Sequence, residues 1–149
     1  MAARPDRQLL HGTWHIRLTS LPMWRKRRAP TLSYLPMPDG SVLDVVAWKG
    51  RRRLRTIVGW DRPSGEGWQW RGAGLVTRFT PSLWSLVVWE EEGQWAVSRF
   101  ERTPFTPAGT DVIFRDAEPE AAVLEAARAA CLEHPATADL AGGLFAPPL

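Results

Sequence analysis

The side chains able to do chemistry in this sequence are few and scattered. Asp44 sits inside an otherwise apolar run, Val42-Leu43-Asp44-Val45-Val46-Ala47-Trp48. With period two it shares a face with Val42, Val46 and Trp48, so bulk flanks it whichever way it points. A carboxylate in that setting must be paired or have its pKa raised. It is either an ion pair with Arg55 or another neighbouring-strand arginine, or a ligand contact able to act as general acid or base. Tyr34, the only tyrosine, alternates with Leu32 and can turn its hydroxyl inward. Ser98 and Arg99 are adjacent, so only one of them faces an interior. The candidate catalytic residues are therefore Tyr34, Asp44 and Arg99. No Gly-x-Ser-x-Gly, phosphate loop or dinucleotide fingerprint occurs, and Gly72-Ala73-Gly74 reads as a bulge. His11, His15 and His134 have no partners at ligand spacing, so neither a metal nor a cofactor is expected.

Tryptophan is the compositional anomaly, with nine against one Tyr and five Phe. Trp48, Trp60, Trp68, Trp70 and Trp84 fall mostly on strand faces shared with apolar neighbours. Such rings either fill a core or line a pocket for an apolar or conjugated ligand. Trp24 lies with Leu21 and Met23 in a Pro- and Arg-rich stretch, 20–30, that is longer than a turn requires. It is expected to fold over an entrance as a lid, with Arg25, Arg27 or Arg28 meeting a ligand's polar end. The candidate ligand-binding set is Trp24, Tyr34, Trp48, Trp60, Trp70, Trp84 and Ser98.

These residues need a scaffold, and the punctuation of the chain supplies one. Segment 12–19 sets Trp14, Ile16 and Leu18 against Thr13, His15 and Arg17, the period of a half-buried strand. Segments 31–36 and 41–49 flank Met37-Pro38-Asp39-Gly40, a hairpin signal. Further strands are expected at 53–60, 68–79 (bent at Gly72-Ala73-Gly74), 83–91, 94–102 and 111–115, with Asp61 to Gly67 as a turn. A helix follows at 118–133, with Asp116 as candidate N-cap and Val123, Ala127, Ala130 and Cys131 on one face. Residues 134–149 read as a weakly ordered tail. Eight strands in hairpin order with one C-terminal helix give an all-β, up-and-down antiparallel barrel over about 11–116, within one domain, 1–149. An open sheet curled on the helix is the competing arrangement. An eight-stranded barrel is just wide enough for one small ligand.

The chain's 149 residues are the size of one domain. At 44% hydrophobic and 23% charged it is no disordered polyelectrolyte. Its single cysteine, Cys131, allows no intramolecular disulfide and permits a reducing compartment. No segment approaches the ~20 apolar residues of a membrane-spanning helix. The start, MAARPDRQLLHGTW, lacks an apolar leader run, so a cytoplasmic location is expected. Of the 19 basic residues, nine fall in two runs, Arg25 to Arg28 and Lys49 to Arg55. In a meander both runs lie at the same barrel end, opposite the end where the first strand begins. They are either two solvated loops or a rim that attracts an anionic ligand head. A nucleic-acid surface is disfavoured, because the tryptophans alternate inward, away from these loops.

Gly12-Thr13-Trp14 opens the first strand, and Trp89 to Val97 turns between the sixth and seventh. Arg115 ends the eighth, and the helix follows. Over roughly residues 10–133 this combination resembles the lipocalin (calycin) family, here in a bacterial-type intracellular form without leader or disulfide. The resemblance implies that Trp14 closes the barrel floor with Arg115 packed against it. It also implies a cavity for a hydrophobic small molecule, to which the basic mouth adds an anionic head. The alternative is a cofactor-independent cyclase or isomerase, pericyclase-like, acting on a polyketide or polyene in natural-product biosynthesis. Cavity-shaped catalysis of that kind needs proximity and a few polar groups more than a triad.

Overall fold

The computed structural model describes residues 4–74 and 80–149. Eight strands follow one another: β1 (Gly12–Thr19), β2 (Arg28–Pro36), β3 (Val42–Lys49), β4 (Leu54–Ser64), β5 (Gly67–Gly72), β6 (Ser82–Trp89), β7 (Trp95–Phe100) and β8 (Gly109–Phe114). Each pairs antiparallel with the next, and β8 pairs with β1, which closes an up-and-down barrel. Closure satisfies the edge hydrogen bonds that an open sheet would leave exposed. The period-two pattern decides which side chains fill the interior. Trp14 and Ile16, Leu32 and Tyr34, Val42 and Val46, Trp68 and Trp70, Trp84 and Leu86, and Ala96 and Ile113 make one lumenal cluster.

One strand expectation changes, and one lies in part outside the described residues. β4 runs on through Asp61, Arg62 and Pro63 to Ser64, so the expected Asp61–Gly67 turn shrinks to its tip. Pro63 is tolerated there because it stands beside the hairpin end, opposite Trp68. The expected continuation of β5 to residue 79 lies, from residue 75 on, outside the described residues.

The floor is built from the amino end. A short helix, α1 (Arg7–Leu10), is capped by Asp6, whose carboxylate accepts from the Gln8 N–H at 3.0 Å. It brings buried Leu10 under the barrel, where the Leu10 carbonyl accepts from Trp14 Nε1 at 2.9 Å. The Arg115 guanidinium lies 3.7 Å over the Trp14 ring and donates to the Leu9 carbonyl at 2.6 Å. Gly12 has φ +109°, and an added Cβ would stand 2.9 Å from the Arg115 guanidinium, so both backbone and space call for glycine. Arg7 donates to the Met37 and Ser41 carbonyls, and Arg4 to those of Gly65 and Gly67, tying α1 across two floor hairpins.

The outer face of β7 and β8 is covered by α2 (Ala121–Glu133). Ala127 and Cys131 are buried there against Val97, Val112 and Phe114. Asp116 is not the N-cap: it accepts from the Glu118 N–H at 2.9 Å, an Asx turn, and stands four residues ahead of the Glu120 N-cap. Residues past the helix pack down rather than trailing off. Phe145 pairs with Thr19 through two 2.9 Å backbone bonds, and Pro148 accepts from the Ala29 N–H. Among the described residues, no helix is long and apolar enough to cross a membrane.

Trp14→Ala is expected to cost about 3–5 kcal/mol in urea unfolding, the range for emptying a large buried aromatic site. A loss under ~1 kcal/mol, typical of surface positions, would mean that the floor does not depend on this ring.

Candidate functional site

The lumen is only partly filled. Above the floor cluster lies a cavity of about 540 Å³, within the range of small-molecule sites. Its walls come from inward positions of β2 to β8, and its upper rim from the connections at the mouth. Trp70, Trp84, Tyr34 and Phe100 supply most of the aromatic wall. Tyr34 and Trp84 stack at 5.7 Å, and Trp84 and Phe100 at 6.2 Å. Room for Trp70 comes from Gly59, where a Cβ would stand 2.5 Å from the indole nitrogen. The β1–β2 connection forms a 3₁₀ turn, Pro22–Lys26, that brings Leu21, Met23, Trp24 and Arg27 to the cavity.

Polar groups mark both ends. At the mouth, Arg27 lies 4.3 Å over the Trp48 ring and 5.8 Å from that of Trp24. Its Nη1 is buried without a partner, and so is Trp24 Nε1. Towards the floor, Asp44 lines the cavity at 5% exposure, and Asp61 of β4 stands behind it. Burial pushes the Asp44 carboxyl well above the usual range, and the charge and hydrogen bond of Asp61 add to this. Burial also raises Asp61, to about 6, against the opposing hydrogen bonds of Asp44 and of Trp84 Nε1, which donates to Asp61 Oδ1 at 2.8 Å. Two carboxyls this close cannot both ionise cheaply, so the pair shares a proton at neutral pH. Asp44 Oδ1 and Asp61 Oδ2 remain without partners.

Asp111 of β8 is a third buried carboxyl on the cavity wall, raised by burial to about 7. The Thr19 hydroxyl donates to it at 2.5 Å and also accepts from the Leu21 N–H at 3.0 Å. The Tyr34 phenol is pushed well above its usual value by burial and by the three carboxyls around it, so it stays neutral. Among the described residues, no group of three His, Cys, Asp or Glu is arranged to hold a metal ion.

The expected site residues divide. Tyr34, Asp44, Trp24, Trp70 and Trp84 are brought together on the cavity wall. Trp48 faces the lumen edge-on to Trp24 at 6.1 Å, behind the wall. Ser98 points inward but is buried below the surface, donating to the Asp111 carbonyl at 3.4 Å. Trp60 and Arg99 are corrected. Trp60 is 38% exposed on the outer face, because the odd-numbered residues of β4 face the lumen and Asp61 takes the inward place. Arg99 alternates with Ser98 and points outward, bonding Glu101, the Ala136 carbonyl and Asp139. The Asp44–Arg55 ion pair is absent: Arg55 stands opposite Trp48, exposed, four residues along. Trp24 is no free lid either. It is 2% exposed and belongs to the core cluster while presenting one side to the cavity. Among the basic residues proposed for the mouth, Arg27 reaches the cavity, whereas Arg25 stacks on Phe145.

Three site residues escaped the sequence reading. Asp61 was hidden in an apparent turn, and Phe100 among strand apolars. Asp111 had a usable signal, since it shares the inward face of β8 with Ile113.

The buried carboxyls make stability pH-dependent. Unfolded, they titrate near ~4. Folded, they keep their protons to about 6 for Asp61 and about 7 for Asp111, and burial holds the Asp44 proton well above the usual carboxylate range. The folded state therefore binds more protons in between, and stability falls as pH rises through that window. Tm is expected to be lower at pH 8 than at pH 5.5, with Asp111→Asn shrinking the drop. A Tm that climbs over the same interval would contradict the burial of these groups.

Backbone comparison then places the barrel among known folds. Lobster apocrustacyanin A1 superposes with a TM-score of 0.73 at 10% identity, covering 97% of this chain and 79% of that one. H1 crustacyanin from the lobster Homarus americanus gives 0.71 at 10% identity with the same coverage. The siderocalin Ex-FABP gives 0.67 at 12% identity, covering 95% of each chain. No protein-family model and no curated protein sequence matches the chain. What is shared at such low identity is architecture: this chain has the lipocalin-like fold, a closed eight-stranded barrel followed by a helix.

Proposed function

We propose that the barrel binds a small, predominantly apolar molecule that enters at the mouth and leaves an anionic group at Arg27. Arg27 is the observation that carries this reading. Its guanidinium is held against Trp48, lines the cavity, and has a buried Nη1 with no acceptor. A shielded cationic donor without an acceptor carries a desolvation cost that an incoming carboxylate or phosphate offsets. The aromatic wall suits the apolar body. Support also comes from a neighbour of the same fold, the siderocalin Ex-FABP, which is described as functioning through dual ligand specificities. The lone buried thiol of Cys131 fits a reducing compartment, and the cytoplasm is the proposed location.

Quenching of the cavity tryptophans by decanoate and by its methyl ester tests the reading. Arg27→Gln should weaken decanoate by about tenfold, the scale of one charge-assisted hydrogen bond, and leave the ester nearly unchanged. Equal loss for both ligands would remove the anion contact, and no quenching by either would remove the binding reading. Trp24→Ala should weaken both ligands alike and also cost about 3 kcal/mol of stability, because the ring belongs to the core as well as the wall. A variant that loses binding at full stability would restore the lid.

A further inference from the structure

Unpartnered polar atoms stand at both ends of the cavity. At the mouth they are donors, Arg27 Nη1 and Trp24 Nε1. Towards the floor the one on the cavity wall is an acceptor, Asp44 Oδ1, with Asp61 Oδ2 behind it, while the unpartnered Trp68 Nε1 donor lies off the wall in the core. Register fixes the floor position. Asp44 lies on β3 between Tyr34 of β2 and Gly59 of β4, its direct cross-strand partners, and Asp61 follows Gly59 on the same face. Tyr34, Trp84 and Trp70 surround this place with ring surface, since Tyr34 stacks on Trp84 and Trp70 occupies the space over Gly59.

We infer that the Asp44–Asp61 pair is a second ligand subsite, at the inner end of the cavity, that takes the ammonium group of an amine. This rests on the reading that the cavity takes an apolar small molecule, and it adds what the inner end of that molecule must carry. Three features favour a cation over a neutral hydroxyl. The pair shares one proton and keeps one negative charge in an apolar setting, and among the described residues no Arg or Lys is in ion-pair contact with either carboxyl. A hydroxyl would satisfy Asp44 Oδ1 and leave that charge in place, whereas an ammonium removes both deficits. The surrounding ring faces are themselves attractive to a cation.

Among the described residues, the groups facing Asp44 are Tyr34 from β2, Asp61 from β4 and, further up the cavity, Asp111 from β8 and Arg27 from the mouth. Of these only Arg27 is cationic, and it stands at the opposite end. The cavity is thus polarised along its length, and its fitting ligand is an apolar chain or ring system with an amine inside and an acid outside.

Decylamine, decanol, decanoate and 10-aminodecanoate are the probes, titrated by tryptophan quenching and calorimetry on the full chain. At pH 8 decylamine should bind at least tenfold tighter than decanol, and 10-aminodecanoate tighter than decylamine. The amine preference should shrink at pH 5, where the pair becomes doubly protonated, and amine binding at pH 6.5 should release protons into the buffer. Asp44→Asn keeps the shape and should abolish the amine preference while decanol affinity holds. Should that variant fail to fold, the pH dependence and proton release of the unaltered protein decide alone. Equal affinity for amine and alcohol at pH 8, or amine binding without proton release, overturns the subsite. Decanoate binding that depends on Arg27 would still stand in that case, so the two readings fail separately.

Discussion

An eight-stranded barrel has two open ends, and the way each is stopped decides whether its interior is a core or a container. Here one end is sealed by a single stack. Leu10 and the α1 backbone lie below Trp14, and the Arg115 guanidinium covers the ring while tying the end of β8 to the amino-terminal segment. The stack depends on the absence of a side chain at Gly12 and on the reach of Arg4 and Arg7 to the floor hairpins. With the floor fixed, the strands above it are held in register, and the unfilled volume lies towards the mouth.

That volume persists because its walls are large and rigid. Trp84 is stacked against Tyr34, Trp68 and Phe100 and hydrogen-bonded to Asp61, so it has little freedom to collapse inward. Trp24 is anchored edge-on to Trp48 and closes one side of the rim. Planar rings with few rotatable bonds keep a cavity open where flexible aliphatic side chains would relax into it. The compositional excess of tryptophan is therefore largely an architectural feature of the lumen, with Trp60 exposed on the outer face and Trp95 packed in the cluster under α2 as exceptions.

The interior carboxyls work against stability. Three are buried on or beside an apolar wall, offset by hydrogen bonds from Thr19 to Asp111 and from Asp44 and Trp84 to Asp61. A core selected only for stability would hold apolar residues of the same volume at these places. Acids at one end and a guanidinium with a buried, unpartnered nitrogen at the other are the features on which the proposed binding rests.

The sequence by itself determined the order of strands from which the barrel is built. Strict alternation in β1 and β2 and the hairpin at Met37 to Gly40 are local features that a linear reading captures, whereas the closed end, with Trp14 packed on Arg115, was legible only through the resemblance to lipocalins. The linear reading also placed Tyr34, Asp44, Trp70 and Trp84 on suitable faces, since period two carries that information within each strand. Tertiary structure alone decided which face of β4 and β7 is the inside, and so exchanged Trp60 for Asp61 and turned Arg99 outward. It decided too that the carboxyl-terminal residues pack on Thr19 and Ala29, and that Arg27 rather than Arg25 reaches the cavity. The reason is physical. Alternation gives two faces without naming the inner one, and where both faces carry mixed residues, only pairing with neighbouring strands fixes the choice. Asp44 shows the same limit: its burial was readable, but its partner, Asp61, came from a segment whose Pro, Ser and Gly spoke for a turn until β5 paired with it.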